Sequence, residues 1–277
     1  MILKLGFSTC PNDTFIFEAM VNHKVDCEGL QFDLHLADVE ELNHEALNNI
    51  LDITKVSYHA YAYVAQNYLI LDSGSALGKN NGPILISKKK IYADEINNLK
   101  IAIPGKMTTA NLLLSIAYPE AKNKIEYLFS DIEEVVNSNE VDAGLIIHES
   151  RFTYEKKGLR KIVDLGEFWE HKTKSTIPLG GIIANRRLTN DTIFKINRVL
   201  KRSIEFAFKN PHESVNFIRK YAQEIDEQVM FKHIELYVNN FTLELGEEGK
   251  KSIKNLFQYA QNLKLIPSLP EKIFINS

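Results

Sequence analysis

The sequence predicts an α/β protein of two lobes with a hinged cleft between them. Short apolar segments that suit strands alternate with segments of helical periodicity up to about residue 188, which is typical of βα units. Continuous apolar runs, as in 101–103 and 145–147, indicate strands that are covered on both faces. In 82–88 and 177–183, Pro and Gly precede a strand, and these two stretches are predicted to carry the chain between the lobes.

The two crossing stretches define the predicted lobes. Residues 89–179 contain a complete βα set and are predicted to form an inserted second lobe. The first lobe is then discontinuous and comprises residues 1–88 and 180–277. A cleft between two α/β lobes is a common site for a small ligand, and hinge motion at the connecting strands can close it.

The elements are predicted in the following order. Strands are placed near 3–8, 31–37, 51–56, 83–88, 100–104, 124–128, 142–147, 160–164 and 178–184, in largely parallel sheets. Helices follow most of them, at 13–22, 39–49, 58–67, 108–117, 131–138 and 150–156. After residue 189 the periodic segments are all helical, at 190–209, 211–222, 226–240 and 247–263.

Composition argues against several classes of protein. Of the 277 residues, 44% are apolar, and 36 acidic residues nearly balance 33 basic ones. We therefore expect neither nucleic acid nor a membrane as a partner. Cys10 and Cys27 are too few for a disulfide framework and lack the spacing of a zinc or redox pair, so no metal or redox cofactor is expected. No export signal or bilayer-spanning segment is apparent, and a cytoplasmic location is expected.

The segment Ser8–Phe15, STCPNDTF, directly follows the first predicted strand. It suits a nucleophilic cysteine, a lipid-attached cysteine, or a strand-to-helix turn that binds an anion or polar ligand, with Ser8 as a candidate contact. Lipid attachment is not expected, because only nine residues precede Cys10 and they contain no apolar core of the kind that a signal needs. Asn12 or Asp13 can cap the following helix, whose first N–H groups suit an anion. A capped turn without any ligand explains the same residues, and the sequence does not fix a partner base for a nucleophilic cysteine.

A second strand end of this design is 103–111. A glycine turn leads into a helix whose first residues, Thr108, Thr109 and Ala110, offer hydroxyl and N–H groups to a carboxylate. It is not a phosphate-binding Walker loop, because Met107 follows Lys106 and the earlier glycine is absent. Threonines that only cap the helix remain the alternative interpretation.

A third strand end is 52–59. Lys55 can pair with an anionic substrate, and Ser57 can cap the next helix while its hydroxyl faces the cleft. A surface lysine and a capping serine would explain the same residues without any ligand.

The fourth strand end carries His148, at the end of the apolar run 143–147. An imidazole at this place in an α/β protein can accept a proton near pH 7. The zinc-protease pattern HExxH is excluded, because residue 152 is Phe152. A structural histidine remains the alternative. All four features follow strands, two in each predicted lobe, and this joint placement favours a ligand site in the cleft.

The chain resembles the 1,4-dihydroxy-6-naphthoate synthase family of menaquinone biosynthesis, which acts in the futalosine route. Matching segments run from the first strand to the last helix: LGFSTCPNDTFIF at 5–17, TKVSYHAY at 54–61, SGSALGKNNGP at 73–83, IPGKMTTA at 103–110, AGLIIHESRFTY at 143–154, IPLGGI at 177–182 and LGEEG at 245–249. One departure is Thr9, where the family often has proline.

The resemblance implies a type II periplasmic-binding-protein-like fold of two α/β lobes with a discontinuous first lobe. It also implies that His148 is the proton-accepting base and that substrate contacts come from Lys55, Val56 and Ser57. Further contacts are implied for Thr109 and Ala110, and Thr108 stands beside them in the same motif.

The implied reaction converts cyclic dehypoxanthine futalosine into 1,4-dihydroxy-6-naphthoate by breaking a carbon–carbon bond, with dihydroxyacetone as the expected co-product. The expected partner is thus a small carboxylated molecule, and no cofactor is implied. Two alternatives stay open: a chorismate dehydratase of the same route and fold, and a solute-binding module without catalysis. The sequence predicts no oligomeric state.

Overall fold

The computed structural model describes residues 1–221 and 226–275. Its strands are β1 (Ile2–Phe7), β2 (Gln31–Leu36), β3 (Ile53–Ser57), β4 (Tyr68–Ile70), β5 (Ala76–Gly78), β6 (Ile84–Ser87), β7 (Ile101–Ile103), β8 (Lys124–Glu126), β9 (Ala143–Ile146), β10 (Arg160–Asp164) and β11 (Ile177–Asn185). Its α-helices are α1 (Pro11–Val21), α2 (Val39–Leu47), α3 (Tyr58–Val64), α4 (Thr109–Ala117), α5 (Ile132–Asn137), α6 (Leu165–Thr173), α7 (Asn190–Lys209), α8 (Val215–Tyr221), α9 (Glu227–Tyr237), α10 (Asn240–Leu243) and α11 (Gly246–Asn262). No helix in these ranges is long and apolar enough to cross a membrane.

The nine predicted strands are all present, close to their expected places. Strands β4 and β5 were not predicted, because three residues are too few to show a period. Helix α6 was also missed. It begins after Asp164, whose carboxylate accepts the N–H groups of Gly166 and Glu167 at 2.8 and 3.2 Å.

Two predicted helices differ from the structure. The helix expected at 150–156 is instead a pair of 3-10 turns, His148–Phe152 and Tyr154–Lys157. The helix expected at 211–222 opens with the 3-10 turn Pro211–Ser214 and continues as α8. Residue 222 lies outside the described residues, as do 223–225 and 276–277 of the predicted first lobe.

The strands form two sheets. The first is six-stranded, with the order β2-β1-β3-β11-β4 and with β5 paired to β11. The second is five-stranded, with the order β10-β6-β9-β7-β8. The chain therefore builds most of the first sheet, then the whole second sheet, and returns through β11 to complete the first.

The expectation of largely parallel sheets is wrong. Strand β11 runs antiparallel to β3, β4 and β5, and β6 runs antiparallel to β9 and β10. Among the named strands of the described residues, β1 pairs in parallel with β2 and β3, and β7 with β8 and β9. The antiparallel strands β6 and β11 are the ones next to the crossings, where the chain enters a sheet from the other lobe.

One buried apolar cluster contains residues of both sheets, among them Val56 and Ile183 of the first and Leu85 and Leu145 of the second. Burial of apolar surface therefore holds the two lobes together. The strands β1, β3, β7 and β9 all end at one pocket, and this placement brings the four predicted strand ends together.

Candidate active site

A pocket lies between the two lobes at these strand ends. All ten residues that the sequence singled out line it: Ser8, Asn12, Asp13, Lys55, Val56, Ser57, Thr108, Thr109, Ala110 and His148. Eight lining residues were not singled out: Val39, Ala76, Asn81, Pro83, Ile147, Leu179, Gly180 and Tyr237. The pocket thus gathers the candidates in one place, and their individual roles stay predictions.

The turn ahead of α1 differs from the prediction in its cap. The helix begins at Pro11, and Cys10 is the N-cap residue without a side-chain capping bond. The backbone carbonyl of Cys10 accepts the N–H groups of Asp13 and Thr14 at 3.1 and 3.0 Å. The expectation that Asn12 or Asp13 caps α1 is therefore wrong, and both side chains have other partners.

The Asp13 carboxylate is the centre of a buried hydrogen-bond network. It accepts from Ser8 Oγ at 2.6 Å, from Asn12 Nδ2 at 2.7 Å and from Lys55 Nζ at 2.8 Å. Asp13 is 1% exposed and Lys55 is 6% exposed. The turn therefore holds an anion that belongs to the protein itself, and Lys55, expected to meet an anionic substrate, is already paired with it.

Ser57 stands at the start of α3 but does not cap it through its side chain, contrary to the prediction. Its backbone N–H donates to Asn43 Oδ1 at 2.9 Å, and its hydroxyl oxygen accepts from Asn43 Nδ2 at 3.3 Å. The same Nδ2 donates to Glu40 Oε2 at 2.9 Å. This arrangement leaves the Ser57 hydroxyl hydrogen available to a ligand in the pocket.

Glu40 connects the two lobes. Its Oε1 accepts the backbone N–H of Met107 at 2.8 Å, in the turn ahead of α4. Gly105 in that turn has a φ of +146°, and a Cβ there would lie 2.3 Å from Glu40 Cδ, so only glycine fits. Burial raises the pKa of Glu40, while the N–H of Met107 opposes the shift.

The threonines ahead of α4 are held within the protein. Thr108 caps the helix by accepting Asn111 N–H at 3.2 Å, as in the alternative interpretation, and its hydroxyl donates to the Gly105 carbonyl at 2.8 Å. The Thr109 hydroxyl donates to the Leu179 carbonyl at 2.6 Å. Neither hydroxyl hydrogen remains for a ligand. The backbone N–H groups of the first helical turn are the donors that α4 still offers to the pocket.

His59 lies beside this turn and bridges the lobes. Its Nδ1 is 3.2 Å from the Thr108 carbonyl oxygen and therefore carries the hydrogen. Its backbone N–H also donates to Thr109 Oγ1, at 3.3 Å. Burial lowers the pKa of His59 to about 4, although the hydrogen bond to Thr108 opposes the shift. The ring is therefore neutral at pH 7.

His148 follows β9 and faces the pocket from the second lobe. It adopts a φ of +59°, in the left-handed region that non-glycine residues seldom occupy. Its Nδ1 lies 3.4 Å from Cys10 Sγ, across the cleft. The Phe129 ring packs edge-on against the imidazole, with 4.8 Å between the two ring centroids. Its Nε2 is buried and has no hydrogen-bond partner among the residues that the structure describes.

Burial lowers the pKa of His148 to about 4. The charge of Asp13 opposes this shift, and the charge of Lys55 adds to it. Burial, together with the charge of Glu149, raises the pKa of Cys10 well above its usual value. At pH 7 the pair is therefore a neutral thiol beside a neutral imidazole that can accept a proton.

His233 of α9 is a member of the site that the sequence did not indicate. It is fully buried, and its Nε2 lies 2.9 Å from Asn12 Oδ1. Its Nδ1 lies 3.8 Å from Glu149 Oε2. Burial, with the neighbouring His148 adding to the effect, lowers the pKa of His233 well below its usual value. It comes from a helical region with no strand end nearby, so no local pattern marked it.

Asn81 was also missed, although it lies in the segment GKNNGP. It is 1% exposed, lines the pocket, and neither its Oδ1 nor its Nδ2 has a hydrogen-bond partner within the described ranges. A buried amide is stable only when its polar atoms find partners. Asn81 is therefore positioned to receive a polar group of a ligand.

Two groups of side chains among the described residues have donor atoms close enough to hold a metal ion. One is Cys10, His148 and Glu149, with donor atoms within 4.8 Å of one another; the other is His35, Glu41 and Glu45, which is less buried. The sequence predicted no metal site, because the first group joins residues that are far apart along the chain.

Comparison with known proteins identifies the chain's relatives. The family described as Menaquinone biosynthesis matches residues 3–262. A 1,4-dihydroxy-6-naphthoate synthase from Thermus thermophilus is 42% identical over 273 residues, which cover 99% of both chains. A solved structure from Archaeoglobus fulgidus, with 34% identity, has a TM-score of 0.91 and covers 96% of this chain and 98% of its own.

The fold itself is shared more widely. The alkanesulfonate-binding protein of Xanthomonas axonopodis pv. citri has a TM-score of 0.73 at 11% identity and covers 99% of this chain and 96% of its own. This likeness confirms the predicted type II periplasmic-binding-protein-like fold and, at this identity, concerns the fold alone. From the family match and the 42% identical relative, the chain belongs to the menaquinone-biosynthesis family that includes 1,4-dihydroxy-6-naphthoate synthase.

Proposed function

We propose that this protein is a carbon–carbon lyase that converts cyclic dehypoxanthine futalosine into 1,4-dihydroxy-6-naphthoate, with dihydroxyacetone as co-product. The observation that carries the proposal is His148, a neutral imidazole in a pocket between two lobes, whose Nε2 has no hydrogen-bond partner among the described residues. The name of the 42% identical relative from Thermus thermophilus supports the choice of product. We place the reaction in the cytoplasm, since both cysteines are free thiols, as is usual in a reducing compartment.

In the proposed mechanism, His148 removes a proton from the substrate through Nε2. This role requires the hydrogen of the neutral ring to be on Nδ1, where Cys10 Sγ, at 3.4 Å, accepts it. The imidazolium that forms lies near Asp13, whose negative charge favours it. Cys10 then positions the base and is not a nucleophile.

The developing negative charge on substrate oxygen needs hydrogen-bond donors. Lys55 Nζ has donors beyond the one directed at Asp13, and the Ser57 hydroxyl hydrogen and the Asn81 amide are available in the same pocket. We assign these three groups to the substrate's hydroxyl and carbonyl oxygens. The hydrogen bond to Asp13 keeps the Lys55 ammonium in place.

The substrate carboxylate is assigned to the start of α4. The backbone N–H groups of Thr109 and Ala110 belong to the first turn of this nine-residue helix, where no intrahelical carbonyl is available to them. Such N–H groups, together with the helix dipole, bind carboxylates well. The cross-lobe contacts of Glu40 and His59 hold this turn against the first lobe and help to exclude water from the closed pocket.

The test compares two His→Asn variants. His148→Asn removes the base, and a loss of about 10²–10⁴-fold in kcat is expected for formation of 1,4-dihydroxy-6-naphthoate from the cyclic substrate. His23→Asn is the matched control, because His23 is exposed and has a similar left-handed backbone with a φ of +55°. Asparagine tolerates this conformation, so both variants should fold.

Turnover of His148→Asn near that of His23→Asn would refute the assignment of the base. Parallel incubation of the wild-type protein with chorismate tests the dehydratase alternative, which a dehydrated product would favour. Recovery of bound but unchanged cyclic substrate would instead indicate a binding module.

A further inference from the structure

Three potential metal ligands, Cys10, His148 and Glu149, lie close together between the two lobes, and a fourth, His233, adjoins Glu149. Cys10 and His233 belong to the first-lobe side, and His148 and Glu149 to the second. Cys10 Sγ lies 3.4 Å from His148 Nδ1, and His233 Nδ1 lies 3.8 Å from Glu149 Oε2. The donor atoms of Cys10, His148 and Glu149 all lie within 4.8 Å of one another, and His233 approaches this group through Glu149, so its ring must shift towards a shared cation. In a tetrahedral zinc site, neighbouring ligand atoms are about 3.5 Å apart.

The hydrogen-bond network determines which nitrogen of His233 can bind a metal. Asp13 can only accept at its ionised carboxylate, so Asn12 must direct Nδ2 towards it, at 2.7 Å. Asn12 therefore presents Oδ1 to His233 Nε2, at 2.9 Å, and this Nε2 must carry a hydrogen. The remaining nitrogen, Nδ1, then carries the lone pair of the neutral ring, and it lies 3.8 Å from Glu149 Oε2.

A lone pair that faces a carboxylate oxygen is unfavourable unless a positive centre lies between them. His233 is fully buried, and its Nδ1 has no hydrogen-bond partner among residues 1–221 and 226–275. Metal-binding histidines commonly donate their second N–H to a carbonyl or carboxylate, and His233 donates its own to Asn12 in this way. The arrangement is therefore that of a ligand oriented towards a cation.

We propose that Cys10, His148, Glu149 and His233 form an inhibitory binding site for a thiophilic divalent cation, best matched by Zn²⁺. One thiolate, two imidazoles and one carboxylate are ligands that Zn²⁺ accepts in tetrahedral geometry, whereas Mg²⁺ and Ca²⁺ prefer oxygen ligands alone. The cation joins residues of both lobes and uses a nitrogen of His148. It therefore holds the cleft shut and removes the proposed base from the reaction.

The experiment measures metal binding directly, so its outcome does not depend on turnover. Protein treated with a chelator and then freed of it is titrated with Co²⁺, a spectroscopic substitute for Zn²⁺. The wild-type protein should bind one equivalent, with a sulfur-to-cobalt charge-transfer band in the near ultraviolet and strong visible absorption typical of tetrahedral Co²⁺. Zn²⁺ should displace the Co²⁺ and abolish both absorptions.

Two variants remove ligands, and two serve as matched controls. Cys10→Ser should lose the sulfur band, and His233→Gln should weaken Co²⁺ binding at least tenfold, by loss of one ligand. Cys27→Ser replaces the other buried cysteine, and His35→Gln removes the second donor group; both should bind Co²⁺ like the wild-type protein. Glu149→Gln provides a second ligand variant, and thermal unfolding shows which variants are folded.

The proposal is overturned if the wild-type protein takes up neither Co²⁺ nor Zn²⁺ at one equivalent. It is also overturned if the sulfur band survives Cys10→Ser, or if tetrahedral Co²⁺ is lost in His35→Gln while folded Glu149→Gln binds normally. Inhibition of turnover by Zn²⁺, reversed by a chelator and weakened in His233→Gln, would add a functional readout.

Discussion

The turn ahead of α1 and the turn ahead of α4 share a sequence design but differ in what they hold. Each follows the end of a strand, β1 or β7, and opens a helix whose first residues line the pocket. In the first turn the anion is Asp13, already bound by Ser8, Asn12 and Lys55. In the second turn the threonine hydroxyls donate to backbone carbonyls of the protein itself.

This difference suggests a division of labour between the two lobes. In the first turn the hydrogen-bond donors are bound to the carboxylate of Asp13, so its side chains are held in place without any ligand. The second turn keeps backbone N–H groups available, and these are the groups that suit an external carboxylate. A strand-to-helix turn of this kind is therefore rigid when a carboxylate of the protein occupies its donors. It can bind a ligand when its backbone N–H groups remain available.

The largest effect, a loss of folding stability, is expected from breaking the ion pair between Asp13 and Lys55 in the first turn. Lys55→Met leaves the Asp13 carboxylate buried without its cation, and it should lower the free energy of unfolding by about 3–5 kcal/mol, measured by urea denaturation. The double variant Asp13→Asn/Lys55→Met removes both charges and should recover much of this loss.

The control for this prediction is Lys201→Met. Its partner is Glu244, and both side chains are substantially exposed, at 35% and 55%. Loss of such a pair should change stability by less than about 1 kcal/mol. Equal effects at Lys55 and Lys201 would show that Asp13 tolerates the loss of its partner and that the first turn is not rigid in the proposed sense.

The second prediction concerns His59, which ties the second turn to the first lobe. Its folded-state pKa of about 4 lies below its unfolded value near 6.5, so the unfolded chain binds more protons between these values. The stabilising contribution is present above pH 6.5 and is lost as the pH falls towards 4. For this one residue the loss should amount to about 3 kcal/mol.

His59→Gln should therefore flatten the decline of unfolding free energy between pH 7 and pH 4, measured by denaturant titration at several pH values. His44→Gln is the control, because the side chain of His44 is 57% exposed. A steep acid dependence that is unchanged in His59→Gln would mean that His59 already titrates normally in the folded protein.

The third prediction tests the N–H groups of the second turn. Thr109→Pro removes the first N–H of α4, and a proline is tolerated here because it is the first helical residue and Thr108 before it is extended, with φ −72° and ψ 147°. Thr109→Ala removes only the hydroxyl. If the N–H binds the substrate carboxylate, KM should be about tenfold higher in Thr109→Pro than in Thr109→Ala. Equal KM values for Thr109→Pro and Thr109→Ala in steady-state assays would show that the substrate carboxylate binds elsewhere.

A feature of the site could be predicted from the sequence when the residues that form it are close together along the chain. Strand ends are local patterns, so short segments alone indicated pocket residues such as Asp13 and His148, whereas Val56 was expected only from the family resemblance. The partners of those residues are not local. Asn43 binds Ser57 from another element, and His233 reaches Asn12 across more than two hundred residues. Only the folded chain brings these partners together.

The cap of α1 was mispredicted for a related reason. Asn12 and Asp13 are good capping residues by local preference. In the fold, Lys55 and His233 compete for the same side chains and bind them at 2.8 and 2.9 Å. Charge-assisted and buried hydrogen bonds outweigh a cap that the Cys10 carbonyl and Pro11 make unnecessary. Tertiary partners therefore overrode local chemistry at the functional site.

The smallest effect, a modest change in kcat, is expected at Cys10, the residue of the first turn whose side chain contacts His148. Its raised pKa keeps it a thiol at neutral pH, and a thiol is a poor nucleophile. Because a serine hydroxyl can accept the His148 Nδ1–H in place of sulfur, Cys10→Ser should keep kcat within about tenfold of wild type when a chelator is present. Cys10→Ala, which has no acceptor, should be slower than Cys10→Ser, and Cys27→Ser should match the wild-type protein. If kcat of folded Cys10→Ser instead fell by several orders of magnitude, the thiol would take part in bond breaking. The first turn would then contribute to the chemistry as well as to the rigidity of the pocket.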